Sequence, residues 1–336
     1  MIIQLEQNIS SQEAEKIRSK VNGMGYKTTD VVTQRCSYII GIGKKDIDIR
    51  LLGGMRGVAD VHRVSDGYKL VSRKWKVNPT EIDLGDGVVI KEGDFAIMGG
   101  PCSIESEDQI VSVLQHLKAN GVRIMRGGVY KPRSSPYSFR GLGIDGLKLW
   151  HEHAQEHGIK IITEVMQSSQ IEDLCKYADI LQVGARNSQN FNLLDALGEV
   201  DKPVLLKRGI SGSLSELLQC AEYVFSGGNE KLMLCERGIR TYETAYRNTF
   251  DLNAIPILKE KTHLPVIADP SHGIGVRAYV EPIALGAVMA GADGVIYETH
   301  CTPEKAFSDG QQTLNFKESE ELIKKMRAAF ELRKSF

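Results

Sequence analysis

With 336 residues, 42 basic against 43 acidic side chains and a formal net charge of −1, the chain can bury a sizeable core. It is too balanced for bulk attraction to nucleic acid or an anionic membrane. It has no apolar run that could span a bilayer, and Met1-Ile-Ile-Gln-Leu-Glu lacks the basic and apolar segments of a secretory signal, so a cytoplasmic protein is expected.

Residues 1–65 predict a βαββαβ unit. Met1–Leu5 reads as a strand. Ser10 with Glu13 forms a capping-box pattern, and Ala14, Ile17, Val21 and Met24 come next at helical spacing. Lys27–Thr33 and Tyr38–Ile42 read as paired strands, Asp46–Leu52 as a short helix and Val58–Val64 as a closing strand. This is a ferredoxin-like pattern without nucleophile, metal cluster or phosphate loop, so it predicts a regulatory or assembly domain whose sheet leaves one face needing a partner. Residues 66–80 read as a basic linker. Residues 81–336 read as one catalytic domain, opened by a hairpin over Ile82–Ile90 that turns at Gly85-Asp86-Gly87 and could plug the bottom of that domain.

From Phe95 the chain alternates strand and helix eight times. The predicted strands are Phe95–Met98, Val122–Met125, Lys160–Thr163, Ile180–Val183, Val204–Leu206, Leu232–Leu234, Val266–Ala268 and Gly294–Tyr297. The sixth helix must lie within Thr249–Lys261, after a long polar stretch. Short, nearly continuous apolar strands alternating with helices argue for a parallel sheet covered on both faces. Eight such units argue for a closed (β/α)8 TIM barrel.

Each predicted strand is followed almost at once by a residue capable of chemistry: Cys102, Arg126, Glu164, Arg186, Lys207, Arg237, Asp269 with His272, and Glu298. In a barrel these ends converge on one face. Arg126, Lys131, Arg133, Arg186, Lys207 and Arg237 form a cationic group, and Lys131 and Arg133 lie in the Gly- and Pro-rich loop that Arg126 opens. Buried cations without partners are costly, so these predict anionic ligands, held by Arg as a planar fork and by Lys as a point charge. Cys102, His272, Glu298 and Asp309 offer a thiolate, an imidazole and two carboxylates. That set suits a divalent metal such as Mn, Fe, Co or Zn, and suits Ca or Mg poorly. The six cysteines, Cys36, Cys102, Cys175, Cys220, Cys235 and Cys301, include no CxxC pair and read as reduced thiols.

These motifs resemble the type I beta branch of the 3-deoxy-D-arabino-heptulosonate 7-phosphate (DAHP) synthases. The matching segments are Gly99-Gly-Pro-Cys-Ser103, Arg126–Pro136, Gln182-Val-Gly-Ala-Arg-Asn187, Leu206-Lys-Arg-Gly209, Cys235-Glu-Arg-Gly238, Asp269-Pro-Ser-His272, Glu298-Thr-His300 and Ser308-Asp-Gly-Gln-Gln312. The N-terminal unit resembles the ACT-like extension of some members. The resemblance implies condensation of phosphoenolpyruvate with erythrose 4-phosphate, the first step of the shikimate pathway to the aromatic amino acids. It implies that Arg126, Lys131, Arg186, Lys207 and Arg237, with the backbone at Ala185, hold phosphoenolpyruvate. Arg133 and Ser134 would hold the sugar phosphate, and Cys102, His272, Glu298 and Asp309 the metal. Asp269 would sit beside the aldehyde, Lys131 would protonate the developing alkoxide, and Glu164 would position water. A homo-oligomer, a tetramer, is expected, with feedback inhibition by Tyr or Phe.

Two alternatives stand against this reading. The sibling 3-deoxy-manno-octulosonate 8-phosphate synthases carry Ala-Asn-Arg where this chain has Lys131-Pro132-Arg133. A non-catalytic amino-acid sensor would have lost ligands, yet every candidate is present. Cys301 departs from the family pattern, which has Pro there; it is expected to be an inert loop thiol or to pair with Cys102 on oxidation.

Overall fold

The computed structural model describes residues 1–43, 47–131, 135 and 137–336. Arg133 and Ser134, and Asp46 of the predicted short helix, lie outside the described residues. At the N-terminus β1 (Ile2–Leu5), α1 (Ser11–Gly23), β2 (Lys27–Val32), β3 (Ser37–Ile42), α2 (Arg50–Gly53) and β4 (Val58–His62) come in the predicted order. Ser10 and Glu13 close the capping box: each side chain accepts a hydrogen bond from the other's backbone N–H. The strands pair in the order β2-β3-β1-β4, the ferredoxin-like arrangement.

Alternation gives that sheet two apolar faces. Ile3, Leu5, Ile39, Val58 and Val61 pack under Ile17 and Val21 of α1 and Leu52 of α2. Ile2, Val31, Tyr38 and Ile40 face the other way, and the chain's own next segment, Val64, Tyr68, Leu70, Val71 and Trp75, covers them. The second face is therefore not open, contrary to the sequence expectation. The indole of Trp75 meets Tyr38 edge-on at 5.5 Å, donates to the Leu70 carbonyl at 2.8 Å, and meets His263 of the barrel edge-on at 6.0 Å.

The predicted hairpin appears as β5 (Ile82–Asp83) with β6 (Val89–Ile90). The barrel comes next: β7 (Ala96–Gly100), α3 (Glu107–Ala119), β8 (Ile124–Arg126), α4 (Gly143–His157), β9 (Lys160–Val165), α5 (Ile171–Tyr177), β10 (Ile180–Val183), α6 (Phe191–Gly198), β11 (Val204–Lys207), α7 (Leu214–Ser226), β12 (Leu232–Glu236), α8 (Ala254–Lys261), β13 (Val266–Ala268), α9 (Pro270–Ile274), α10 (Arg277–Met289), β14 (Gly294–Glu298) and α11 (Phe316–Arg333). Strands β7 to β14 are parallel and close on themselves in sequence order.

Period-two alternation sorts the barrel residues. Met98, Ile124, Ile162, Ile180, Leu205, Met233, Ile267 and Ile296 fill the interior, where Ile82, Val88 and Ile90 of the hairpin plug one end. Their neighbours, such as Met125, Ile161, Leu181, Leu206, Leu234 and Val295, point outward against the helices. Each fully buried side chain of this kind contributes about 1.5–3 kcal/mol relative to exposure.

Candidate active site

The same alternation places the functional side chains. Two residues beyond an interior-filling apolar side chain comes the next inward position, the last before the strand gives way to loop. That position is Arg126 after Ile124, Glu164 after Ile162, Gln182 after Ile180, Lys207 after Leu205, Asp269 after Ile267 and Glu298 after Ile296. Arg237 takes the corresponding place beyond Met233 and Cys235. On β7 the place belongs to Gly100, and Cys102 stands two residues later. Several strands run one or two residues beyond their predicted ends, because they end on these polar residues.

A cavity of about 220 Å³ opens at this face. Its lining includes Arg126, Lys131, Glu164, Ala185, Arg186, Lys207, Arg237, His272 and Asp309 of the predicted set. Gln182, Arg240, Arg247 and Asn248 line it too and were not anticipated. Arg240, Arg247 and Asn248 belong to the polar stretch before α8, and the clue was a long charged loop on the C-terminal face of a barrel. A Cβ at Gly184 would fall 2.0 Å from the Glu164 Oε1, so a larger residue there would displace that carboxylate.

Cys102, Glu298 and Asp309 bring ligand atoms within 4.8 Å of one another. His272 joins them, with Nε2 3.4 Å from Glu298 Oε1 and 3.9 Å from Asp309 Oδ2. Its Nδ1 lies 2.7 Å from Asp269 Oδ2. Burial holds the imidazole below its usual pKa, while Asp269 stays ionised because His272 and Lys207 outweigh its own desolvation. A carboxylate can only accept, so Nδ1 carries the proton and Nε2 presents a lone pair. The Cys102 thiol donates to Asp309 Oδ2 at 3.2 Å, while the bare nitrogen and the two carboxylates turn lone pairs toward one another; this mixed S, N and O donor set fits a divalent metal. Burial, with help from Glu298, pushes the Cys102 thiol up to about 11. A metal bound there would therefore displace a proton from the thiol.

Asp269 does not line the cavity. It lies behind His272, is 1% exposed, and takes Lys207 Nζ at 2.5 Å on the oxygen that His272 Nδ1 also meets. Lys131 Nζ sits 3.0 Å from Cys102 Sγ and 2.9 Å from its carbonyl oxygen. Burial draws its pKa down, but the neighbouring Cys102 and Glu164 outweigh this and the net shift is upward. Arg126 donates to Glu298 Oε1 at 3.0 Å and to the Pro101 carbonyl at 2.8 Å.

Arg186 and Arg237 have no carboxylate partner among the described residues. Arg237 is 5% exposed and its Nε makes no hydrogen bond. Desolvation lowers its pKa without neutralising it. A buried guanidinium with an idle donor in a cavity wall is suited to an anion. Cys301 is exposed and its thiol lies 3.6 Å from His300 Nδ1. Among the described residues no helix is long and apolar enough to cross a membrane.

The chain is 48% identical over 270 residues, 80% of each protein, to the phospho-2-dehydro-3-deoxyheptonate aldolase of Thermotoga maritima. The crystal structure of the protein of that name from Thermotoga maritima, also titled DAHP synthase, superposes with a TM-score of 0.79 at 41% identity, covering 98% of this chain and 97% of that one. The 2-dehydro-3-deoxyphosphooctonate aldolase of Syntrophobacter fumaroxidans is more distant, 32% identical over 71% of this chain and 88% of that protein. Residues 76–335, nearly all of the chain beyond the N-terminal sheet, match the DAHP synthetase I family, so with these relatives and this barrel the chain belongs to that family.

Proposed function

We propose that the protein condenses phosphoenolpyruvate with erythrose 4-phosphate and water to give DAHP and phosphate. The observation that carries this reading is one cavity in which His272 and Asp309 of a Cys-His-Glu-Asp donor set share the wall with Arg237, a buried guanidinium without a carboxylate partner among the described residues. Arg186, Lys207 and Arg237, with Arg126, Lys131 and the backbone at Ala185, hold the carboxylate and phosphate of phosphoenolpyruvate. Arg133 and Ser134, assigned from the sequence alone, take the sugar phosphate. Cys102, His272, Glu298 and Asp309 hold a divalent metal, Mn, Fe, Co or Zn, which when bound supplies Lewis-acid polarisation of the aldehyde oxygen.

Carbon 3 of phosphoenolpyruvate forms the new bond to the aldehyde carbon. Lys131, beside Cys102, delivers its proton to the oxygen that gains charge. Glu164 orients water toward carbon 2, where positive charge develops. The resulting phosphohemiketal breaks its carbon–oxygen bond and releases phosphate, whose charge the fixed cations stabilise without rearranging. Asp269 acts through His272 and Lys207, holding one in its tautomer and the other in position.

The N-terminal sheet serves feedback control by Tyr or Phe in a cytoplasmic homotetramer. Its packing on residues 64–75, themselves packed on the barrel, supports a mechanical link between the two. The test is to incubate purified protein with phosphoenolpyruvate and either erythrose 4-phosphate or arabinose 5-phosphate, with and without Mn2+, measuring phosphate release and product mass. Turnover of the four-carbon sugar alone, dependent on metal, is expected. Preference for arabinose 5-phosphate would transfer the chain to the octulosonate reaction.

A further inference from the structure

Arg247 and Gln312 carry no role in the reaction above, yet both reach the donor set. Gln312 is fully buried. Its amide nitrogen donates to Glu298 Oε2 at 2.6 Å, and its amide oxygen accepts from Arg247 Nη1 at 2.9 Å. The same Arg247 nitrogen lies 3.5 Å from Asp309 Oδ1. Guanidinium can only donate and carboxylate can only accept, so the amide between them has one orientation and relays one to the other. The arrangement divides the oxygens of both carboxylates. Glu298 Oε1 and Asp309 Oδ2 face His272 Nε2, while Glu298 Oε2 and Asp309 Oδ1 are held from behind.

Arg247 is itself fixed. Its N–H donates to the Ile274 carbonyl at 3.1 Å, and its stem packs over Gly275, whose φ is +69° and where a Cβ would lie 2.3 Å from the Arg247 Cβ. Asp309 itself sits at φ +52°, a left-handed conformation that Asp tolerates better than most residues. We infer that Arg247 and Gln312 are positioning residues, a brace that makes Glu298 and Asp309 each present a single oxygen to a divalent metal and so sets the affinity of the site. The inference rests on the metal reading above and adds residues outside the ligand set.

The test measures Mn2+ dissociation constants of the full chain by competition with a fluorescent chelator, for wild type, Arg247→Met, Gln312→Met and the double variant, with thermal melts as a folding control. Each single variant should weaken Mn2+ binding roughly 10–100-fold, as loss of an outer hydrogen-bond partner does. The double variant should be little worse than the poorer single one, because either change breaks the same relay. Arg247→Lys should recover part of the loss, keeping the charge near Asp309 without the planar fork. Unchanged Mn2+ affinity in the folded variants overturns the brace. So does a raised KM for phosphoenolpyruvate at unaltered Mn2+ affinity, which would make Arg247 a substrate ligand. If Gln312→Met does not fold, the partly exposed Arg247 carries the test by itself. Failure of wild type to bind Mn2+ would refute the metal reading, and the brace with it.

Discussion

Replacing Asp269 by Asn should separate the metal ligands from the residue that orients them. The native carboxylate accepts three hydrogen bonds: Lys207 Nζ at 2.5 Å and His272 Nδ1 at 2.7 Å on Oδ2, and the His272 N–H at 3.1 Å on Oδ1. An amide cannot reproduce all three. With its oxygen at the Oδ2 position, its NH2 opposes the His272 N–H. With its NH2 there, it opposes the Lys207 ammonium and favours the imidazole tautomer that carries hydrogen on Nε2. That proton would point at Glu298 and Asp309, where a metal must sit. In both orientations Lys207 loses its counter-charge in a buried setting.

Removing one partner of a buried pair costs about 3–5 kcal/mol of folding stability. Loss of an orienting carboxylate weakens metal binding roughly 10–100-fold, or about 1.4–2.8 kcal/mol. Urea unfolding of the metal-free protein reads the first quantity, and Mn2+ competition on the folded variant reads the second. A folded Asp269→Asn protein with wild-type Mn2+ affinity would refute the tautomer argument, whatever happened to its turnover.

Three further outcomes rest on named contacts. Gly184→Ala should lower kcat and leave Mn2+ affinity intact, because the new Cβ displaces the Glu164 carboxylate; full kcat would remove Glu164 from the reaction. A chain begun near residue 66 should keep activity and lose inhibition by Tyr or Phe. One begun after Val71 should be less stable by about 1–3 kcal/mol for each lost partner, since Glu222 accepts from the Leu70 and Val71 N–H groups and Trp75 and His263 both need the Leu70 carbonyl; equal urea midpoints would sink this. His263 is held neutral between the Thr80 hydroxyl and the Leu70 carbonyl, and burial lowers its pKa from 6.5 to about 3. The unfolded chain thus binds the extra proton first, so stability should be level above pH 6.5 and fall as pH drops toward 3, and His263→Gln should flatten that slope in acid titrations.

The barrel was legible because its strands are short, apolar and evenly separated, and Ile180–Val183 and Val266–Ala268 match their predicted bounds. The other strands read too short at their C-terminal ends for a physical reason. Apolar pattern stops at Arg126, Lys207, Glu236 or Glu298, but the ladder of hydrogen bonds does not depend on side-chain polarity and runs on. Arg126, Lys207 and Glu298 among them face the candidate site, so the pattern that truncates the strands also marks several of its residues. Arg247 and Gln312 escaped it. They lie 65 positions apart in two irregular loops, and no periodicity connects them. The cover of the N-terminal sheet escaped as well, because Leu70, Val71 and Trp75 stand among lysines and an arginine that gave the segment a solvated look.

The order of strands separates a group of metal-type donors from a group of cations around one cavity mouth. Cys102 lies just past β7, His272 just past β13, and Glu298 and Asp309 come from β14 and the loop beyond it. Since β13, β14 and β7 are adjacent, the metal donors occupy one continuous arc of the barrel mouth. The remaining arc, β8 to β12, carries Arg126, Lys131, Arg186, Lys207 and Arg237, with Glu164 as its one carboxylate among the residues lining the cavity. The two arcs touch at two seams. At β7–β8, Arg126 meets Glu298 and Lys131 meets Cys102; at β12–β13, Lys207 of neighbouring β11 reaches Asp269. These seam contacts balance the acidic arc when no metal is present, which keeps buried carboxylates tolerable in the metal-free protein. They also mark where a group held by the cationic arc comes nearest to one polarised from the acidic arc. Lys131 stands on such a seam with its ammonium against Cys102, where the proposed reaction would call for proton delivery. Arg186 and Arg237 have no carboxylate to release among the described residues, so a phosphate entering the cavity would meet them without competition.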